Sequence, residues 1–429
     1  MSYDSDEGPE LLAEKLRLFF DNSRLYTWEG EIGRGANGAI YKIRSGPNQR
    51  IALKVCPQDV DLAARGDRSD RVYDARAEGD ELSELEGLRR EAGWLKKLRG
   101  CGHVIQTLDV AADPLLRTPP GIRSVGSSLW LYMEFAPNGT LYDFIERNKE
   151  LYDRPLPNRL LWRLFMCCRS HVTRVAMDEA KKADDGGTVV IRGCLELAFH
   201  EDTEKGRPDD LTSTNLNALR TKTPGLLSHL DLHTSNIVVG SFVPNFQAPE
   251  HIITPIFKMI DFGEAKEVET SRLGPGSYQN AWDCSKMMLE AILSDTGAFM
   301  KNVVATVGSQ MFRTEAGELA SRRAELVQAG VDADLIDLVS LCLASDMNQR
   351  PRLVDLAITV RRKVLTRGPG TVHRETDNAI RDLVLSLIVD ADTMDVEEPE
   401  LQRKRGREEV DDGGDDTKDG RDPKRQNVG

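Results

Sequence analysis

A chain of 429 residues with 40% hydrophobic and 30% charged residues can bury a large core and more than one packing unit, and no apolar run in it approaches the ~18 residues of a transmembrane helix. Its formal net charge of −13 argues against a general nucleic-acid binder, which needs clustered Lys and Arg facing phosphates, so neither a nucleic-acid nor a membrane partner is expected. The acidic start (Asp4, Asp6, Glu7) has the wrong charge for a signal peptide, and scattered cysteines without a CxxC pair or zinc spacing point to reduced thiols in cytosol or nucleus.

In chain order, the acidic first residues give way to Leu12, Leu16, Phe19 and Phe20 at helical spacing, a helix expected to pack on its neighbour. Tyr26–Ile43 reads as a strand, a glycine-rich turn (Gly33, Gly35, Gly38) and a second strand, and Ile51–Val55 as a third. Glycines there let a backbone approach phosphates closely. The stretch 57–80 is charged and reads as an exposed insertion. A helix is predicted over 81–99, with Leu85, Leu88, Ala92 and Leu95 on one face, followed by a turn and Val104-Ile105. Leu129–Phe135 reads as a buried strand ending in a turn over 136–141. A helix follows over 157–177, then a polar insertion at about 178–224, with Thr188–Ile191 and Leu195–Phe199 as a possible small hairpin inside it.

Two polar knots then abut apolar, strand-like residues: Asp231 to Asn236 before Ile237-Val238-Val239, and Asp261-Phe262-Gly263 after Lys258-Met259-Ile260. Asp231 can orient a hydroxyl or accept its proton. Asn236 offers a carbonyl oxygen, and Asp261 a carboxylate, to Mg²⁺, which favours hard oxygen ligands and substrate phosphate. Gly274-Pro275-Gly276 breaks the chain, and a helix is expected to begin near Trp282-Asp283. Further helices are predicted around Leu335–Leu343, Leu353–Leu365 and Ile380–Leu387. From Asp392 the tail is charged, poor in large apolar residues and expected to be disordered. Its Arg403-Lys404-Arg405 and Lys424-Arg425 read as a nuclear-import signal or as ordinary solvated charge.

The ordered set Gly33/Gly35/Gly38, Lys54, Glu91, Asp231, Asn236 and Asp261 resembles the eukaryotic-type protein kinases from about Trp28 to Leu365, with Ala52-Leu53-Lys54, Asp231 to Asn236 and Asp261-Phe262-Gly263 standing where that family has V-A-I-K, H-R-D-x-x-x-x-N and D-F-G. The resemblance implies an α+β, bilobal fold with a β-rich small lobe, a helical large lobe and an ATP·Mg²⁺ cleft between them. It implies glycines over the phosphates, Lys54 on the α/β-phosphates and paired with Glu91 (Glu84 or Glu86 being alternatives), and Asn236 and Asp261 on the metal. Asp231 would orient the acceptor hydroxyl. Ala52, Met133 and Val238, with main-chain groups of Glu134 and Ala136, would surround the nucleotide base. Asp283 would brace the catalytic loop. The implied domains are an acidic segment with a short helix over 1–24, a small lobe over 25–135, a large lobe over 136–366 and a C-terminal helix over 367–391, ahead of the tail at 392–429.

The pattern departs from the family at three points. Leu230 replaces the H-R-D arginine, His233 replaces a lysine two residues past the aspartate, and an A-P-E sequence is missing. The first implies that no phosphorylated activation segment is gripped, and the third leaves the peptide platform open. The expected activity is a protein Ser/Thr kinase acting on a protein substrate with ATP and Mg²⁺. Asp231-Leu232-His233 followed by Asn236 also resembles aminoglycoside and choline phosphotransferases, and a non-catalytic ATP-binding scaffold is a third reading.

Overall fold

A computed structural model describes residues 8–35, 38–47, 49–56, 75–116, 129–166, 194–195, 197–198, 217–242, 253–269, 271–370 and 373–388. All of them lie within one compact unit, Met1–Val389. The architecture is mixed α+β, a four-stranded antiparallel sheet followed mostly by helices. The strands are β1 (Tyr26–Gly35), β2 (Gly38–Ser45), β3 (Gln49–Cys56) and β4 (Leu129–Glu134), in that spatial order.

Side chains of a strand alternate between two faces, and β3 shows the consequence. Leu53 and Val55 join Tyr41, Ile43 and Tyr132 in one apolar cluster, and helix α1 (Gly8–Asp21) closes it with Leu12, Leu16, Phe19 and Phe20. That is the packing the helical spacing of those residues predicts. Ala52 belongs to a different cluster, on the side of Met133, Ile237 and Met259. Asp113 holds the outer cluster to β4, accepting from Trp130 Nε1 at 3.0 Å, Tyr132 Oη at 2.5 Å and Leu115 N at 2.9 Å.

Helix α2 (Ala75–Lys97) starts six residues before the predicted position (81 − 75). Past it the chain runs extended: Val104 bridges Met259 in parallel, and Thr107 bridges Met133 antiparallel. This short run ties the sheet to the strand pair β6 (Ile237–Val239) and β7 (Phe257–Met259).

The helical part comprises α3 (Leu141–Tyr152), α4 (Asn158–Met166), α5 (Gly276–Leu293), α6 (Gly317–Ser321), α7 (Arg323–Gln328), α8 (Ala333–Cys342), α9 (Leu353–Thr366) and α10 (Asp377–Leu387). Thr140 and Asp143 form a capping box at the start of α3. Every residue of α4 is buried, the mark of a central helix. Glu375 accepts from Asn158 N at 2.7 Å and Arg159 N at 3.0 Å, meeting donors that a helix start leaves unpaired. Ile380, Leu383, Val384 and Leu387 of α10 are buried, as their spacing predicts.

Two sequence expectations need correction, and one element was not anticipated. Cys194, Leu195, Leu197 and Ala198 are helical rather than part of a hairpin, consistent with the helix preference of Leu and Ala. The helix expected near Trp282 begins earlier, at Gly276, directly after Pro275. A hairpin the sequence reading did not anticipate, β9 (Val303–Val307) and β10 (Gln310–Thr314), turns at Gly308, whose φ of 60° suits a two-residue loop. Most of the insertions at 57–80 and 178–224, the Thr188–Ile191 strand, and the tail from Asp392 lie outside the described residues.

The start of α5 is the tightest junction. A Cβ on Gly276 would lie 2.0 Å from Leu226 O, while its N–H donates to Val268 O at 3.0 Å. Gly276→Ala is therefore expected to destabilise the chain by ~1–3 kcal/mol through overpacking, read as a lower urea midpoint with an unchanged m-value.

Candidate active site

Lys54 lies on the face of β3 opposite the outer cluster. Its Nζ donates to Glu91 Oε2 at 2.7 Å and to Asp261 Oδ1 at 2.9 Å. Lys54 is 3% exposed and Glu91 1%. The helical phase of α2 selects Glu91: Glu86 is exposed, and Glu84 is outside the side chains described. Burial works against the ammonium, but the charges of Glu91 and Asp261 outweigh it and hold the Lys54 pKa above the ordinary lysine value. The cluster joins β3, α2 and the turn after β7, three elements far apart in sequence.

The second knot stands beside the first. Strand β5 (Leu227–Ser228) pairs with β8 (Lys266–Glu267) and leads into His229. Burial pushes the pKa of His229 down, and its Nε2 lies 2.9 Å from Ile260 O. A neutral imidazole protonated at Nε2 donates to that carbonyl. The ring centroid is 4.6 Å from that of Phe262. Leu230 and Asp261 both adopt the left-handed region, with φ of 64° and 62°. Such strain, of order 1–3 kcal/mol per residue, persists only where the surroundings impose it.

Asn236 Nδ2 donates to Asp231 O at 2.8 Å and to Asp231 Oδ2 at 3.0 Å, which fixes the aspartate and leaves the amide oxygen for another partner. Asn236 O accepts from Ile260 N at 3.0 Å, which sets Asp261 next to Asn236. His233 Nε2 is 3.6 Å from Asp231 Oδ1, and these side chains are 41% and 49% exposed. The site thus has a buried ion cluster, one ammonium between two carboxylates, and an open edge at Asp231 and His233.

Asn280 of α5 is the brace beneath this loop. Its Oδ1 accepts from His229 N at 2.9 Å, and its Nδ2 donates to Leu227 O at 2.9 Å. The sequence reading assigned this role to Asp283, one helical turn later. A side-chain amide offers a donor and an acceptor on separate atoms, which suits it to a strand edge. Asp283 Oδ2 is buried with no hydrogen-bond partner among the described residues.

The remaining residues named from sequence divide by role. A Cβ on Gly33 or Gly35 would meet nothing within 4 Å, so open space lies beside both. Gly38 differs: its φ is 127°, and a Cβ would sit 2.5 Å from Val55 O, so the sheet itself requires that glycine. Ala52 and Met133 are buried in one apolar cluster, and Val238 packs against it. The Glu134 N–H donates to Gln106 O at 2.9 Å, which leaves its carbonyl as the main-chain group that could face a base. Its carboxylate accepts from Gln106 N at 2.8 Å and pairs with Lys258. Ala136 follows the strand, half-buried.

For a bound metal, the described residues hold no group of three or more His, Cys, Asp or Glu. One carboxylate and one amide oxygen, at Asp261 and Asn236, suit an ion that completes its shell with phosphate and water, as Mg²⁺ does. The open space at Gly33 and Gly35 and the buried Lys54 ammonium suit a polyphosphate. Sequence reasoning missed Asn280, Lys258 and Gln106, whose contacts follow no local spacing.

No protein-family model matches the chain, and no curated protein matches it.

Asp283 generates a pH prediction. Burial, with the charge of Asp231 adding to it, pushes its carboxyl from 3.8 to about 7. Between those values the folded chain keeps a proton that the unfolded chain has lost. Its contribution to stability is complete below the lower value and is lost as pH rises toward the upper one. Asp283→Asn removes this titration. The variant is expected to match the parent near about pH 4 and to gain relative stability by about pH 8, measured by urea unfolding at both. A difference that does not change with pH would refute the assignment.

Proposed function

We propose that the chain is an ATP- and Mg²⁺-dependent phosphotransferase of the bilobal protein-kinase-like type, transferring the γ-phosphate to a protein serine or threonine hydroxyl. The observation that carries this is the convergence of Lys54, Glu91 and Asp261 in one buried ion cluster, adjoining the Asp231–Asn236 pair. In this reading the sheet with α2 is the small lobe, the helical part is the large lobe, and β4 leads to the hinge.

Each side chain then has a task. Lys54, fixed by Glu91, neutralises phosphate oxygens. Asp261 and Asn236 would hold Mg²⁺, which offsets charge on the phosphates when bound. Asp231, oriented by Asn236 Nδ2, accepts a hydrogen bond from the acceptor hydroxyl and can take its proton as that oxygen bonds to the γ-phosphorus, the bond to the β–γ bridging oxygen breaks and ADP leaves. Catalysis of this kind is positioning plus charge stabilisation.

One observation favours a second acceptor class. Helix α5 starts only fifteen positions past Asp261 (276 − 261), and the intervening chain is pinned by Val268 N to Leu226 O at 2.8 Å and by the β5–β8 pair. Little chain is left for a peptide platform, which suits a small alcohol of the kind used by aminoglycoside and choline phosphotransferases.

The test is transfer of labelled γ-phosphate to a panel of proteins and small alcohols. Label on proteins supports the first acceptor class, and label on small alcohols alone selects the second. Nucleotide binding without transfer to any acceptor would sink the enzymatic reading. Lys54→Met is expected to lower transfer by at least roughly 100-fold with the fold retained. Asp231→Asn should keep nucleotide affinity and lose rate, whereas Asp261→Asn should weaken Mg²⁺·ATP binding itself. Equal loss of affinity in both aspartate variants would show that the roles are not divided in this way.

A further inference from the structure

Helix α2 carries more toward the site than Glu91. Arg90 and Trp94 lie one and three residues from it, and positions three and four apart share a helix face. Phe262–Glu264 forms a 3-10 turn directly after Asp261. The last carbonyls of such a turn have no partner within it. Arg90 Nη1 donates to Gly263 O and lies 3.7 Å from Glu264 Oε2. Trp94 Nε1 donates to Ala265 O at 2.8 Å from a side chain that is 9% exposed. Lys97 Nζ sits over the Trp94 ring, 4.2 Å from its centroid.

These contacts bear on a strained residue. Asp261 is left-handed, and its carboxylate must face Lys54 and a metal rather than relax. A residue in that conformation persists only where the surrounding structure imposes it. Ile260 is held by its N–H on Asn236 O, on the β7 side. On the far side the Phe262 backbone bonds to Glu91, and Arg90 and Trp94 hold the next carbonyls, Gly263 O and Ala265 O. Position 230 meanwhile offers no cation for a phosphate, because it is Leu. Within the described part of the following segment, Ser271 Oγ donates to Gly274 O at 2.7 Å, and Ser277 is buried.

We propose that Arg90 and Trp94 are positioning residues that clasp the Phe262–Ala265 turn and hold Asp261 in its metal-binding conformation, taking the place of a phosphorylated residue in the segment that follows. The proposal rests on the phosphotransferase reading for the role of Asp261, but the clasp can be measured without nucleotide. Helix α2 then performs two tasks from one face: Glu91 aims Lys54, and Arg90 with Trp94 aims Asp261. Assembly of the metal site follows from docking of α2 and needs no covalent switch.

The experiment uses the full chain and two variants, Trp94→Phe, which keeps the ring and loses the N–H, and Arg90→Met. Amide hydrogen exchange without ligand should be faster in peptides covering Asp261–Ala265 in both variants, with α9 unchanged. The Mg²⁺ concentration giving half-maximal ATP binding should rise roughly 10-fold, as for the loss of a group that orients a metal ligand, while affinity for ATP without Mg²⁺ stays the same. Phosphatase treatment of the parent chain should alter neither quantity. Unchanged exchange at Asp261–Ala265 in the folded variants overturns the clasp, and so does an unchanged Mg²⁺ requirement. A phosphatase-induced change as large as that in the variants overturns the claim that the clasp replaces a phosphate. If one variant fails to fold, the other decides. If the parent chain binds no Mg²⁺·ATP, the phosphotransferase reading falls, and exchange still judges the clasp.

Discussion

A single ammonium, Lys54 Nζ, is shared between two carboxylates in a site almost closed to solvent, and the central part of the chain is arranged around it. Removing a charge from water costs several kcal/mol, and the pair repays it only with good geometry and further hydrogen bonds. That constraint ties three elements together. Strand β3 must present Lys54 on its inner face, α2 must dock in the phase that brings Glu91 to it, and the turn after β7 must adopt a left-handed residue at Asp261. If any of them moved, a buried charge would be left without its partner. A cluster of this kind is costly for stability alone and useful for binding polyphosphate.

Helix α5 supplies the complementary anchor. Asn280 holds the backbone on both sides of Ser228, and Thr234 Oγ1 reaches Glu290 Oε2 at 3.1 Å from the far end of the loop. Gly276 lets the helix start pass against Leu226. The open side chains of Asp231 and His233 therefore project from a loop whose backbone is fixed underneath. Rigid support beneath an exposed acid is the arrangement that positioning catalysis needs.

The end of β4 is wired into the same frame. Gln106 Nε2 donates to Cys101 O and Val104 O, both at 2.8 Å, and its main chain exchanges hydrogen bonds with Glu134. Glu134 in turn pairs with Lys258, three residues before Asp261. The turn after α2, the last residue of β4 and the strand leading to Asp261 thus share one polar network. In a low-dielectric setting such networks stiffen the elements they join.

What the sequence determined by itself was local. Lys54 in a β-branched strand, Asp231 and Asn236 five positions apart, and Asp261 before Phe262-Gly263 are patterns that short-range spacing carries. The apolar stripes of α1, α2, α9 and α10 were equally legible, because a buried helix face repeats every three to four residues. Tertiary structure decided the rest. Three acids in α2 were candidates for Lys54, and only docking of the helix turned Glu91 inward. Asn280 braces the loop that carries Asp231, and Asp283 does not, because Asn280 meets the edge of β5, a contact across 51 residues of chain. Gly38 is required by Val55 O as much as by any ligand, and the β9–β10 hairpin has two short strands without strict alternation of apolar and polar residues. In each case the deciding interaction joins groups distant in sequence. Local propensity and spacing carry no information about such pairs, whereas burial and hydrogen-bond satisfaction discriminate among them once the chain is folded.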